Sequence, residues 1–481
     1  MTSQRNDFRK IRFGWASAES EKERDPELLI SAFYDNQGYI KEAIDGPRFM
    51  FLGYKGSGKS AIGQKLVLQS EGESNLNVET IHLKDFPFNA FRKIGSADSE
   101  HEARFPTTWA WLILLRILEL FDGDVTGKKS PEFKRTVDEL KRRGFVGSDD
   151  LKGIVVKSSK SKFQSDVLNI IKIAHETTSS DGGVPFLTLV NLLRKLVSEF
   201  ESQVHHILVI DGLDDVLSKK ELQLNSLSAL MQEVNQINGD LQGKGSHSKV
   251  VLLCRTDIFE SLPDANKNKL RQDSAIVLDW YRDTIDPELS ALVKLADMRI
   301  QMSLRDKSVE LKDFFPPAIT GESTIKRLLD LTRHTPRDFI QLLRNIQGFS
   351  EPDTKLSEDQ IQNGIRDYSI NYFLPEIKDE LVGAASSSQI QAMIDLFSAM
   401  RKRDFKYREL LDYQERFDFD EVKELPISNL LMALYDRSAV GTIISEKGMD
   451  KYTFKFRNRN SSLGFPDRLI LHRGIWKALN L

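Results

Sequence analysis

Residues 53–60 read GYKGSGKS. Gly53 and Gly58 bracket a turn whose backbone N–H groups have to wrap an anion. Glycine serves where φ is positive or where the anion lies against the chain. Lys59 and Ser60 put an ammonium and a hydroxyl directly behind the second glycine. The flanks give this turn its setting. FMFLG (49–53) is a short apolar run ending at glycine, the pattern of a parallel strand buried on both faces. AIGQKLVLQ (61–69) follows with helical spacing. Strand, turn and helix in that order aim the first N–H groups and positive end of the helix at the anion. The stretch is a complete phosphate-binding loop and predicts a bound nucleoside triphosphate with Mg²⁺. Gly53, Tyr54, Lys55, Gly56, Ser57, Gly58, Lys59, Ser60 and Ala61 are the candidate nucleotide contacts. Lys59 is assigned to the β/γ-phosphates and Ser60 to the metal.

Working outward, HHILVIDGLDDVL (205–217) has an apolar run that ends at Asp211. That places a carboxylate at the C-terminal edge of a buried strand, where open α/β sheets bind ligands. Asp211 is the candidate for holding Mg²⁺ through its water shell. Asp214 or Asp215, on the following loop, is the candidate to orient and deprotonate an attacking water. KVVLLCRTD (249–257) is another buried strand, and its Arg255 stands at the same edge, within reach of a γ-phosphate. Cys254 reads as a small buried apolar residue. In RHTPRDFIQLLRNI (333–346), Thr335 fits an N-cap, Pro336 fits the first helical position, and Asp338 closes a capping box. Arg337 then projects from the first turn of a helix.

The remaining pattern sets the scaffold. VETIHL (78–83) and AIVLDW (275–280) bring the buried-strand candidates to five. They alternate with helical stretches such as TWAWLILLRILELF (108–121) and FLTLVNLLRKLVSEF (186–200), which predicts a parallel sheet flanked by helices. Residues 123–165 carry KRRGFVGSDD and KSSKSK and read as an exposed insertion, and residues 1–26 as a loosely held polar segment. From about 286 onward the pattern is mostly helical. The last hundred residues add helices at 388–400, 406–415 and 427–436 and a strand, YTFKFR (452–457). Lys451, Lys455, Arg457, Arg459, Arg468, Arg473 and Lys477 face only Asp467 as an acid in 451–481. Helices followed by a strand and a basic turn fit a winged helix with phosphates against its wing, and a solvated strand face is the other reading of the same residues. Phe33 and Tyr34, upstream of the loop, are candidates to stack on a purine, with core packing as their other reading.

The 481 residues carry a net charge of −3 and one cysteine. The first gives no global field for nucleic acid or membrane. The second leaves no internal disulfide framework and no cysteine-based zinc site, and fits a cytoplasmic protein. No apolar run of 18 residues is present, so no membrane span is expected. The N-terminus lacks the apolar stretch of a secretory signal. Neither a metalloprotease motif nor a thiol site appears.

The order of motifs resembles a known group. A phosphate-binding loop, then ILVIDGLDD, then LLCR, then TPRDF is similar to the additional-strand P-loop ATPases. More narrowly, it resembles bacterial members of the STAND branch and their AAA+ origin-recognition relatives. Glycine after the metal aspartate, with acids three and four residues beyond it, is similar to the NACHT form of the motif. That form usually ends in Asp-Glu, whereas this chain has Asp214-Asp215. The resemblance implies a sensor-1 role for Arg255 and a sensor-2 role for Arg337. It also implies an arginine or lysine donated by a neighbouring subunit, for which Lys267, Lys269 and Arg271 are candidates. The expected architecture is a P-loop NTPase core at 46–285 with its helical insertion near 123–165. An N-terminal segment and leading helices (1–45) precede it, and a helical lid (286–375) and a winged-helix-like domain (376–481) follow. The implied function is an ATP-hydrolysing switch that forms homo-oligomers or drives an effector partner, as in bacterial conflict or antiphage defence. The alternative is an initiator-like protein whose nucleotide controls DNA binding through the winged helix.

Overall fold

FMFLG, HHILVID and KVVLLCR have almost no polar side chains to show to water, and all three strands lie in the middle of one sheet. The computed structural model describes residues 7–94, 104–147, 151–174, 185–213, 221–242, 247–263, 267–281, 286–352, 355–417, 420–446, 449–464 and 468–481. Its strands are β1 (Met50–Gly53), β2 (Leu76–His82), β3 (His205–Asp211), β4 (Ser248–Arg255) and β5 (Ala275–Val277). They form one parallel sheet in the order β2-β3-β4-β1-β5. β4 is therefore inserted between the strand that feeds the glycine-rich loop and the strand that ends at Asp211. With helices around it, this is the P-loop NTPase fold.

The chain divides into two compact units, Asp35–Leu278 and Met1–Tyr34 with Asp279–Leu481. In the first, the helix Phe105–Gly123 lies almost wholly inside. Its two tryptophans are buried with their N–H groups satisfied. Trp109 Nε1 donates to the Ser226 carbonyl (2.9 Å) and Trp111 Nε1 to Ser158 Oγ (3.1 Å). The stretch expected as an exposed insertion is a packed helical layer. Helices Pro131–Arg142, Leu151–Ser158 and Lys162–Ala174 turn Phe133, Val137, Leu140, Val155, Phe163 and Val167 into the same core as Trp111. The lysines that dominate its composition occupy the outer faces. Phe133, Val137 and Leu140, spaced four and three apart, carry the helical signal that the charge count hides.

The second unit corrects the reading of the N-terminus. Phe8, Ile11 and Phe13 are buried, and the Phe8 ring packs 5.2 and 5.6 Å from those of Phe314 and Phe315. Gln347 Nε2 donates to the carbonyls of Phe8 (2.7 Å) and Ile11 (2.8 Å), and Arg299 pairs with Glu21 at 2.7 Å. A charged majority masked three aromatic or aliphatic anchors. Phe8→Ala is expected to cost about 3 kcal/mol in a denaturant titration. A change in midpoint within error would show that the segment does not hold the unit together.

Beyond the hairpin β6 (Ala318–Ile319) and β7 (Glu322–Ser323), this unit ends in a second sheet. β8 (Asp404–Lys406), β9 (Val440–Glu446), β10 (Met449–Thr453) and β11 (Arg468–Leu471) pair antiparallel in the order β10-β9-β11-β8. Helices Ser387–Met400, Tyr407–Arg416 and Ile427–Asp436 occupy the connections before β9, which is the topology of a winged helix. The strand expected over 452–457 ends at Thr453. Phe454 and Phe456 are both buried, the same-face spacing that suggested a strand, but the chain turns at 455–457, where the N–H groups of Arg457 and Asn458 donate back to the Phe454 carbonyl (3.0 and 3.1 Å).

Three buried histidines are neutral at ordinary pH. Burial pushes His206 and His334 down to about 4 and His472 to about 3. The nearby Asp124 opposes the shift at His206, while Arg457 adds to it at His334 and Arg333 at His472. In the unfolded chain these groups take up protons below about 6.5, and in the folded chain they do not. Their contribution is complete above that pH and is lost as pH falls toward 4, by a few kcal/mol at about 1.4 kcal/mol per pKa unit. Unfolding followed from pH 7.5 to 4.5 is expected to show this fall. Replacing His334 with a neutral ring should flatten part of it, and an unchanged profile would rule it out as a source.

Candidate functional site

β1 delivers Gly53 to the C-terminal edge of the sheet, and the chain then has to reverse into a helix within five residues. Gly56 and Gly58 adopt φ of 80° and 95°, which side chains disfavour. At Gly53 the demand is for space. A methyl there would lie 2.2 Å from Ser57 Oγ. The helix Lys59–Gly72 starts immediately, with Gly58 at its N-cap, so no cap side chain covers its first N–H groups. Lys59 is 7% exposed, and its Nζ donates to the carbonyls of Gly53 (3.0 Å) and Tyr54 (3.2 Å). The ammonium is thereby held inside the curve of the loop. Ser60 follows it in the first turn and is half-buried.

Asp211 closes β3 and is 9% exposed. Its Oδ1 accepts from the Gly212 N–H at 2.7 Å, and its carbonyl accepts from Leu83 N–H at 2.9 Å. Gly212 turns with φ of 78°, and a Cβ there would press on the backbone nitrogens of Leu83 and Lys84 at 3.2 and 3.3 Å. Glycine after the aspartate thus lets two parallel strands end side by side. A hydroxyl from Ser60 and a carboxylate from Asp211 fit what Mg²⁺ takes from such sites, one or two protein oxygens with water and phosphate completing the shell. Bound there, the metal would neutralise phosphate charge. Asp214 and Asp215 lie outside the described residues.

Arg255 ends β4 and is the register partner of Gly53. The sheet order puts it between the glycine-rich loop and the Asp211 strand. Its guanidinium makes a bidentate pair with Asp257, Nε to Oδ1 at 2.9 Å and Nη2 to Oδ2 at 2.6 Å. Desolvation opposes ionisation of Asp257. The bonds and charge from Arg255 outweigh it, with the charge of Lys59 adding to them, and hold the carboxyl below its usual range. Asp257 was not singled out from the sequence. Its signal was an acid two residues beyond a strand-ending arginine. Cys254 is fully buried in the core.

Arg337 lies in the second unit. Thr335 Oγ1 accepts from the Asp338 N–H at 3.2 Å, and Arg337 rides on the first turn with Nη1 3.5 Å from Glu376. The expected capping box does not form. Asp338 is 0% exposed and turns to Arg333 instead. Lys267 and Arg271, on the helix Lys267–Ser274, both reach Glu260, and Lys269 is exposed. Tyr34 packs 6.3 Å from Trp280, and Phe33 is half-buried beside it in sequence.

The basic C-terminal cluster is largely neutralised. Arg457 pairs with Asp330 (3.1 Å), Arg459 with Asp279 (3.0 Å), Arg468 with Asp404 (2.5 Å) and Arg473 with Glu322 (2.7 Å). These acids lie far away in sequence, which is why the local count missed them. Asp467 falls outside the described residues. The helix Ile427–Asp436 (ISNLLMALYD), which occupies the recognition position of the winged helix, contains no lysine or arginine.

The model of the FunZ-associated C-terminal helical domain matches residues 290–374, a span that includes Arg337 and its helix. No curated protein matches the chain. Among solved structures, the Aeropyrum pernix ORC1 protein in complex with DNA aligns at 12% identity and a TM-score of 0.39, over 95% of this chain and 94% of that one. Among the described residues, no helix is long and apolar enough to cross a membrane.

Proposed function

We propose that this protein is a Mg²⁺-dependent, ATP-binding and ATP-hydrolysing switch of the STAND/AAA+ type. One observation carries the reading. β4 sets Arg255 beside Gly53, on the strand between a glycine-rich loop holding a buried lysine and the strand that ends at Asp211. A cation, a wrapped backbone and a metal-competent carboxylate on three adjacent strands suit a triphosphate better than any single-charge ligand. Lys59 binds the β/γ-phosphates, and Ser60 and Asp211 hold the metal. Arg255 stabilises charge on the γ-phosphate, and Arg337 supplies the lid arginine. Asp214 or Asp215 positions the water. The cellular reading is a cytoplasmic ATPase subunit that assembles with itself or with an effector in a bacterial conflict or antiphage system.

Adding ATP and Mg²⁺ is expected to raise the thermal midpoint of the purified protein. At a hundredfold excess over Kd the linkage amounts to about 2.7 kcal/mol. Phosphate release should follow and stop in EDTA. No shift and no release with either ATP or GTP would refute the proposal.

The initiator-like alternative has the winged-helix topology in its favour. The helix Ile427–Asp436, which carries no lysine or arginine, and the paired arginines work against strong phosphate contact. A salt titration of duplex DNA binding decides it, because phosphate contacts give a steep loss of affinity with salt.

A further inference from the structure

We infer that Asp257 is a positioning residue that restrains Arg255 and so sets how readily its guanidinium engages the terminal phosphate of a bound triphosphate. The inference rests on the proposed reading of the glycine-rich loop. Arg255 is the last residue of the central strand β4, with extended backbone (φ −70°, ψ 141°), and the short helix Thr256–Ser261 starts directly after it. Two residues on, that helix brings a carboxylate back alongside the guanidinium. Both of its oxygens are taken, one by Nε and one by Nη2. This is the fork-to-fork geometry in which arginine–carboxylate bonds are short and charge-assisted. The same carboxylate also feels the charge of Lys59, whose Nζ lies in the loop beside the Gly53 and Tyr54 carbonyls. Lys59 is the weakest of these influences, and among those favouring the carboxylate the bonds and charge of Arg255 come first, so the acid acts chiefly on Arg255.

A triphosphate that draws Arg255 has to compete with Asp257 for the same donors. ADP, lacking the terminal phosphate, does not enter that competition. An acid in the first turn of a helix is also favoured by the helix's own field. That role asks for no second partner, whereas here Arg255 occupies both oxygens. The arginine side chain is mostly covered while Asp257 is 47% exposed, so the pair can part without opening a core.

The experiment measures equilibrium binding of ATP and of ADP, each with Mg²⁺, for the wild type, Asp257→Asn, Asp257→Ser, Arg255→Ala and the double variant Arg255→Ala/Asp257→Asn. Removing a charge-assisted pair should tighten ATP binding by about tenfold in both Asp257 variants and leave ADP binding unchanged. In the Arg255→Ala background, Asp257→Asn should have no effect. Asp257→Glu, which keeps a carboxylate, should stay close to the wild type. An equal change for ATP and ADP, a change that persists without Arg255, or weaker ATP binding in both variants would overturn the inference. Lys59→Ala separates the underlying reading. If it binds ATP as the wild type does, or if the wild type binds none, the site itself is wrong and this inference falls with it. If Lys59→Ala fails while Asp257 proves silent, only the restraint is wrong.

Discussion

Asp338→Ala is expected to destabilise the unit built from the N-terminal segment and residues 279–481 by about 3–5 kcal/mol. Asp338 has no exposed surface and accepts four hydrogen bonds. They come from Arg333 N (3.1 Å), Arg333 Nε (2.9 Å), Arg333 Nη2 (3.1 Å) and the Tyr372 hydroxyl (3.0 Å). Arg333 is buried too, and its other nitrogen meets Glu380 at 2.8 Å. Burial works against both charges, but each stabilises the other. Arg333 is raised well above its ordinary pKa, and the charge and hydrogen bonds of Arg333 hold Asp338 below its own. Alanine would remove the acceptor and leave a guanidinium and a backbone N–H in a dry site. The penalty is chiefly that of a buried guanidinium left with Glu380 as its remaining counter-charge and two of its donors unmet, not the worth of the pair. Asp338→Asn keeps one acceptor and should lose less. Urea unfolding of the three proteins at pH 7.5 measures the series. A loss below about 1 kcal/mol for alanine would mean that water reaches Arg333 when its partner is gone. The same carboxylate fixes the start of the helix that carries Arg337, so the placement of that arginine depends on bonds made one residue away from it.

Asp338 also shows where reading from sequence stops. TPRDF has the form of a capped helix start, and Thr335 does cap it. The arginine it meets, Arg333, stands five residues before it in the same stretch. Nothing local tells whether the acid turns back to the cap or inward to that arginine, because Glu380 and Tyr372, which complete the buried group, lie some forty residues ahead. The strands were legible for the opposite reason. A parallel strand covered on both faces needs an unbroken apolar run, and FMFLG, HILVID and KVVLLCR supply it without any knowledge of their neighbours. Lys59 and Asp211 were legible because each sits at a fixed distance from such a run. The pairing of Arg457, Arg459, Arg468 and Arg473 was not, since their acids come from residues 279, 322, 330 and 404. Net charge over a short window describes chemistry only when the fold brings nothing else to it. The buried Phe8 and the helical layer at 131–174 teach the same lesson in reverse, with a few apolar residues at the right period outweighing many lysines.

Lys59→Ala is expected to abolish the stabilisation by ATP and Mg²⁺ and to lower phosphate release by about a hundredfold to a thousandfold, the range for removing one preorganised group from a charge-stabilising site. The loss has two parts, and the structure separates them. Without nucleotide, the ammonium ties the loop by donating to the Gly53 and Tyr54 carbonyls, so its removal should cost about 1–2 kcal/mol of intrinsic stability. With nucleotide, the loop's backbone N–H groups lose the ammonium that the proposed site sets against the β- and γ-phosphates. Lys59→Arg tells charge from fit. Arginine keeps the charge, but it carries a planar fork in place of a compact ammonium with three rotatable donors. The space inside the loop is set by Gly53, where even a methyl would strike Ser57. Arginine is therefore expected to fail nearly as badly as alanine in turnover. Retention of most activity by either variant would remove Lys59 from the site and, with it, the reason to place a triphosphate there.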